Sequence, residues 1–291
     1  MMARKIKISA SALNIRLHPH SVEIYASWIE LIFSKKLIAQ VYGDRHGMIS
    51  MLDRTESEDG KISGIITTFV KLDDGGTWFN TEQLTEATDE QVSKVSIPPN
   101  IYPNSSTFYF LFDTIDHRLY FQTYSKGGNI FTPTSALRFF GRLARDLDVM
   151  GRFGEAKISL VQDEASLERM FSIKRIKEIE ITILKPNTDI FDDDFEKNIE
   201  KHLEDTKSSQ FTVIYRAEAN GSIKPDDDIN KISKVALENG SVNVIGRDER
   251  GAVRLNSGQF PQDLHDRFDP DAQSERNAFL GLIPPRAQAN E

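Results

Sequence analysis

The chain has 291 residues and no cysteine, which excludes disulfides, thiolate metal sites and cysteine nucleophiles. Hydrophobic residues make up 39% and charged ones 27%, with 18 Phe, the make-up of a globular chain able to fill a core. A net charge of −8 weighs against nucleic acid as a partner, yet the charge is uneven. Residues 1–46 hold Arg4, Lys5, Lys7, Arg16, Lys35, Lys36 and Arg45 against Glu23, Glu30 and Asp44, whereas 188–228 is acidic, so a basic face can exist on an acidic protein. No stretch approaches the roughly 18 apolar residues of a membrane helix. The basic opening Met1 to Lys7 has no long apolar run behind it, so no secretory signal is expected and a cytoplasmic location is.

In chain order, alternation from Lys5 to Leu17 predicts a long strand, broken by His18-Pro19-His20-Ser21, with Ser21 as N-cap of a helix from Val22 to Lys36. Trp28 falls on that helix's wide apolar face and reads as core rather than ligand platform. Ile38 to Leu52 and Lys61 to Leu72 read as two strands joined through Thr55 to Gly60. Trp78 to Ile101 is polar and irregular, and Pro98 to Asn104 is the best internal joint. The apolar run Phe108 to Phe112 reads as a strand buried on both faces, returning after Asp116-His117-Arg118 as Leu119 to Tyr124. A helix follows with Pro133 in its first turn and Leu137, Phe140, Leu143, Ala144 and Leu147 on its buried side. Then come a strand (Ala156 to Val161), a helix (Glu164 to Phe171), a strand (Glu178 to Leu184) and an acidic helix (Phe191 to Asp205). Another strand (Phe211 to Ala217), a helix (Ile229 to Asn239) and a hairpin through Asp248 to Gly251 complete the pattern. The expected fold is α+β, mixed sheets covered by helices in two lobes, 1–103 and 104–256. Residues 257–291 are expected to form an extended or disordered polar tail.

The chain has no P-loop, dinucleotide glycine fingerprint, zincin His-Glu pair or nucleophile elbow. His18 and His20 could offer imidazoles to a metal, but no third ligand is implied, and histidines of a turn are the simpler reading. Glu155-Ala156-Lys157 behind Asp146 and Asp148 loosely resembles a metal-dependent nuclease arrangement, although those aspartates end a helix; a solvated edge is simpler. Asp192-Asp193-Asp194 lacks the glycine and closing glutamate of a calcium loop and reads as a helix start. Arg138, Arg142 and Arg145 carry a stronger argument. At 100° per residue they fall within about 60° of one another, opposite the apolar side, and arginines so placed can contact successive phosphates.

Lys5 to Ala10, Leu13-Asn14-Ile15, His18 to Ser21 and Tyr42-Gly43-Asp44-Arg45-His46 resemble a bacterial family of unknown function numbered forty-seven forty-seven. Phe153-Gly154-Glu155, Ser166 to Arg169 and Gly246-Arg247-Asp248 extend the likeness to about Arg254. Such a family transfers no site residues; its members look like accessory genes of mobile elements and defence regions. More loosely, the order of elements from Ser106 to Pro186, the acidic helix and the hairpin is similar to that of RexA-type phage abortive-infection proteins. That resemblance implies a homodimeric DNA-binding sensor without hydrolytic chemistry.

The leading expectation is therefore a non-enzymatic nucleic-acid-binding or sensing protein of anti-phage defence. Arg138, Arg142, Arg145, Lys35, Lys36 and Arg45 would contact phosphates of DNA or RNA, and no cofactor is implied. One alternative is a nuclease using Asp146 or Asp148 with Glu155 and Lys157. The other is an adaptor that binds protein through its acidic helix and tail.

Overall fold

Small and branched residues at alternating positions let β1 (Ile6–Arg16) sit at the heart of the molecule, covered on both faces. The computed structural model describes residues 5–18, 21–72, 75–96, 98–184, 201–203 and 205–286. β1 leads to α1 (Val22–Ser34), where the Ser21 side chain accepts from the Ile24 amide as N-cap. Next come β2 (Ala39–Tyr42), β3 (Arg45–Asp53) and β4 (Lys61–Val70). A small hairpin of β5 (Phe79–Asn80) and β6 (Thr85–Glu86) and the short α2 (Asp89–Val92) precede β7 (Ser106–Asp113) and β8 (Arg118–Tyr124). α3 (Pro133–Leu143), α4 (Leu147–Phe153) and β9 (Lys157–Leu160) follow.

Among the described residues the large sheet runs β14-β1-β8-β7-β4-β3-β2, where β14 is Leu264–Phe268, and β9 also pairs with β1. The two share one edge of β1: β14 takes Ile6 to Ala10 and β9 takes Leu13 to Arg16. One face of β1 (Leu13, Ile15) joins a core with Tyr25, Trp28, Phe112 and Phe140 under the helices. The other (Ile8, Ala10, Ala12) packs on Phe268 and on Phe279 of α7 (Glu275–Leu280).

A second sheet, β11-β10-β12-β13, is inserted between β9 and β14. Its strands are β10 (Arg175–Leu184), β11 (Gln210–Arg216), β12 (Gly240–Asp248) and β13 (Gly251–Asn256). α5 (Ala165–Phe171) and α6 (Asp227–Asn239) close one face of it over Ile179, Ile181, Val242 and Val244. Polar contacts join the two bodies: Asn14 Nδ2 donates to Glu238 O at 3.0 Å and Asn239 Oδ1 at 2.9 Å. Arg118 pairs with Glu238 at 2.8 Å, and Gln162 Nε2 donates to Gly240 O at 2.8 Å.

Several expectations change. The pairings between described strands are antiparallel rather than mixed, both across short reversals such as β7–β8 and between strands distant in the chain such as β1–β8 and β4–β7. Ile38 to Leu52 is not one strand: Gly43 at φ +47° turns the chain between β2 and β3. The joint at Pro98 to Asn104 does not separate lobes, since β4 and β7 on either side of it are paired neighbours. Nor do the described residues of the expected tail, 257–286, run loose; β14 and α7 complete the large sheet and cover it. Most of the expected acidic helix Phe191 to Asp205 lies outside the described residues.

Candidate polyanion-binding groove

Thr132 caps α3 by accepting from the Ser135 amide at 3.1 Å, and Pro133 occupies the first turn. Ser135, Ala136, Phe139, Phe140 and Leu143 turn inward. α3 packs on both β2 and β9, which lie towards opposite margins of the large sheet, and so bridges them. The apolar period would carry the helix on to Leu147, but it stops. The Asp146 carboxylate accepts from the Asp148 and Val149 amides, caps a new helix, and leaves Leu147 86% exposed.

The outward side of α3 presents arginines. Arg138 Nη1 donates to Val41 O at 3.3 Å; Arg142 Nη1 donates to Gln40 O at 2.9 Å and Gln40 Oε1 at 2.5 Å. β2 is the sheet's edge, so these guanidinium groups satisfy carbonyls that no further strand reaches. Each fork offers five N–H donors, and among the described residues only Nη1 is committed. Arg145 stands just past the helix end, exposed.

Together the three arginines rim an open groove of about 400 Å³. Leu137, Ala144, Met150, Ala156 and Ile158 supply apolar walls, and Glu155 lies on the lining too. Gly141 also lines it, in mid-helix, where an added Cβ would meet nothing within 4 Å. Mid-helix glycine costs roughly 0.5–1 kcal/mol against alanine. With no packing reason for it, its effect is to keep the groove wide.

The other expected contacts scatter. Lys35 is held by Asp148 at the start of α4, whose hydrogen bond raises the ammonium's pKa above its usual value. Lys36 is exposed beside the end of α1 at φ +51°. Arg45 Nη1 donates to Thr68 Oγ1 at 2.9 Å and Asn104 O at 3.3 Å, holding the loop before β7 rather than lining the groove. The nuclease constellation is not assembled either. Asp146 caps α4, Asp148 holds Lys35, and Glu155 pairs with Lys157 at 2.7 Å, a bond that lowers the Glu155 carboxyl below the usual range. Among the described residues no three carboxylates or imidazoles converge on one point. Pro19, His20 and Asp192 to Asp194 lie outside the described residues.

Sequence reasoning found the arginine row but missed Gly141, Met150 and Ile158. A glycine inside an amphipathic helix was the available signal.

Fold and groove thus define an α+β protein whose described residues form two large antiparallel sheets and a small hairpin, with an arginine-rimmed cleft on its helical face. The chain belongs to the family described as Domain of unknown function (DUF4747), whose model matches residues 6–284. A comparison with curated proteins returned no match. Among the described residues no helix is long and apolar enough to cross a membrane.

Proposed function

We propose that this chain is a non-enzymatic nucleic-acid-binding or sensing component of bacterial anti-phage defence. In this reading it is a cytoplasmic homodimer that holds a phosphate backbone in the α3 groove. The observation that carries the reading is the row of Arg138, Arg142 and Arg145 on an open groove whose floor Gly141 leaves clear. A guanidinium tethered through one nitrogen to a fixed carbonyl has less freedom left to lose on meeting a phosphate. Its planar fork also matches phosphate oxygens in pairs. The likeness to RexA-type proteins supports the same choice of ligand.

The test is a mobility shift with labelled single- and double-stranded DNA and RNA over a salt series. Each phosphate contact on duplex DNA contributes about −0.9 to the slope of log affinity against log salt, so three contacts predict about −2.7. Arg145→Ala leaves the clamps on β2 in place and is expected to reduce that slope by about 1, weakening all sequences alike. An unchanged slope in this variant, or no shift with any of the four probes, removes the assignment. Magnesium-dependent cleavage would replace it with the nuclease reading.

A further inference from the structure

The excursion between β4 and β7 carries a second feature that packing does not explain. Phe79 and Leu84 of the β5–β6 hairpin are 63% and 75% exposed. The hairpin is nonetheless firmly built. Asn80 Oδ1 accepts from the Glu82 and Gln83 amides at 2.9 Å, and the Ala87 amide donates to Trp78 O at 2.7 Å. A capping box of Thr88 and Gln91 then starts α2. Leu84 adopts φ +56°, a backbone that glycine or asparagine takes with far less strain. Around these two apolar groups stand exposed Glu82, Glu86, Asp89 and Glu90, with Phe79 directly across the ladder from Glu86; Lys94 offsets Glu90 at 3.6 Å.

This prong is the converse of the groove on α3. One offers two apolar side chains with an acidic surround; the other offers apolar walls with an arginine rim. The chain places leucine where glycine would be less strained, and glycine where a side chain would fit freely. Among the described residues nothing fills the groove or covers the prong, so a contact between the two would join two molecules. We propose that the Phe79/Leu84 prong of one copy docks into the arginine-rimmed groove of a second copy of this chain. If reciprocated, the contact closes a two-fold dimer; otherwise it builds a head-to-tail chain. The docked prong covers Arg138, Arg142 and Arg145, so self-association competes with any polyanion in the groove. The inference goes beyond the nucleic-acid reading: it shares the groove and the homodimer with it, and makes the docked and the phosphate-bound states of the groove exclusive.

The experiment is sedimentation velocity on the full chain without nucleic acid, at about 100 µM, where a micromolar contact is populated. Wild type is expected to associate, and less so at high salt. Leu84→Gly is expected to weaken association by about thirtyfold or more while its Tm holds or rises, since the strained backbone is relieved. Gly141→Met, which fills the groove, is expected to do the same from the other side. Mixing these two variants leaves one intact prong and one intact groove and is expected to restore a one-to-one complex. A monomeric wild type, association that survives Leu84→Gly, or a mixture that stays monomeric overturns the proposal. A monomeric wild type would also remove the homodimer from the proposed function, but the salt-dependent shift is read on its own, so nucleic-acid binding and docking fail separately.

Discussion

Two glycines of this chain differ in the sign of what a methyl group would do. At Gly64 on β4 an added Cβ would lie 2.5 Å from the Phe110 ring, its cross-strand partner on β7, with the Met51 carbonyl closing the other side. The Phe110 ring is fully buried in the core and the carbonyl is fixed in the strand backbone, so neither can retreat, and Gly64→Ala is expected to destabilise by about 1–3 kcal/mol. At Gly141 the space is open, and Gly141→Ala is expected to stabilise by about 0.5–1 kcal/mol through helix propensity. Urea unfolding at constant m-value reads both. If Gly141→Ala also destabilised, the argument that this position keeps a groove clear rather than serving the fold would be lost. The arginine row beside it was legible from spacing alone. Its partners were not: Val41 O lies 97 residues from Arg138, and nothing local says which strand ends the sheet.

Elements were legible where local chemistry and period agreed, as at Ser21 before α1 and Pro133 in the first turn of α3. They were misread where the two competed. At Asp146 the period said helix while the aspartate's own hydrogen bonds said cap, and the cap won because two amides gain a partner at once. The same scale holds the second role of the arginines. Arg142→Met keeps most of the stem but leaves Gln40 O without its donor, so it is expected to cost about 1 kcal/mol and to speed amide exchange along β2. Arg145→Ala, which touches no carbonyl, is expected to stay within about 0.5 kcal/mol of wild type and leave β2 exchange unchanged. Equal effects from the two variants would show that α3 does not clamp the edge through Arg142.

At the scale of the molecule, the C-terminal segment decides the outcome, and it was the part least visible in the sequence. Its apolar anchors are Phe268 and the short run Ala278 to Ile283, set in a polar, proline-bearing stretch, and Phe268, Ala278 and Phe279 land on Ile8, Ala10 and Ala12. Charged groups fix the rest across long stretches of chain. Glu275 accepts from Gln122 Nε2, Arg276 pairs with Asp53 at 3.2 Å, and Arg286 grips both oxygens of Asp113 at 2.6 and 2.8 Å. Asp113 is 4% exposed, so removing its cation leaves a buried carboxylate short of a partner. Arg286→Ala is therefore expected to cost about 2–3 kcal/mol, below the value for a fully buried pair because the Arg286 side chain is 27% exposed. The deficit should depend on pH through neighbouring Asp116, whose carboxyl is already raised by burial and then by Asp113, with Arg118 and Arg286 opposing. A carboxyl raised in the folded state destabilises when it ionises, so the cost is full above its folded pKa and vanishes below the ordinary carboxylate range. Loss of Arg286 raises it further and enlarges that cost. The gap in stability between wild type and Arg286→Ala should therefore be widest at neutral pH and narrow as pH falls into the carboxylate range, as thermal unfolding across pH would read. A gap that stays flat, or widens on acidification, would mean that the segment is held by its apolar anchors and not by this ionic clamp.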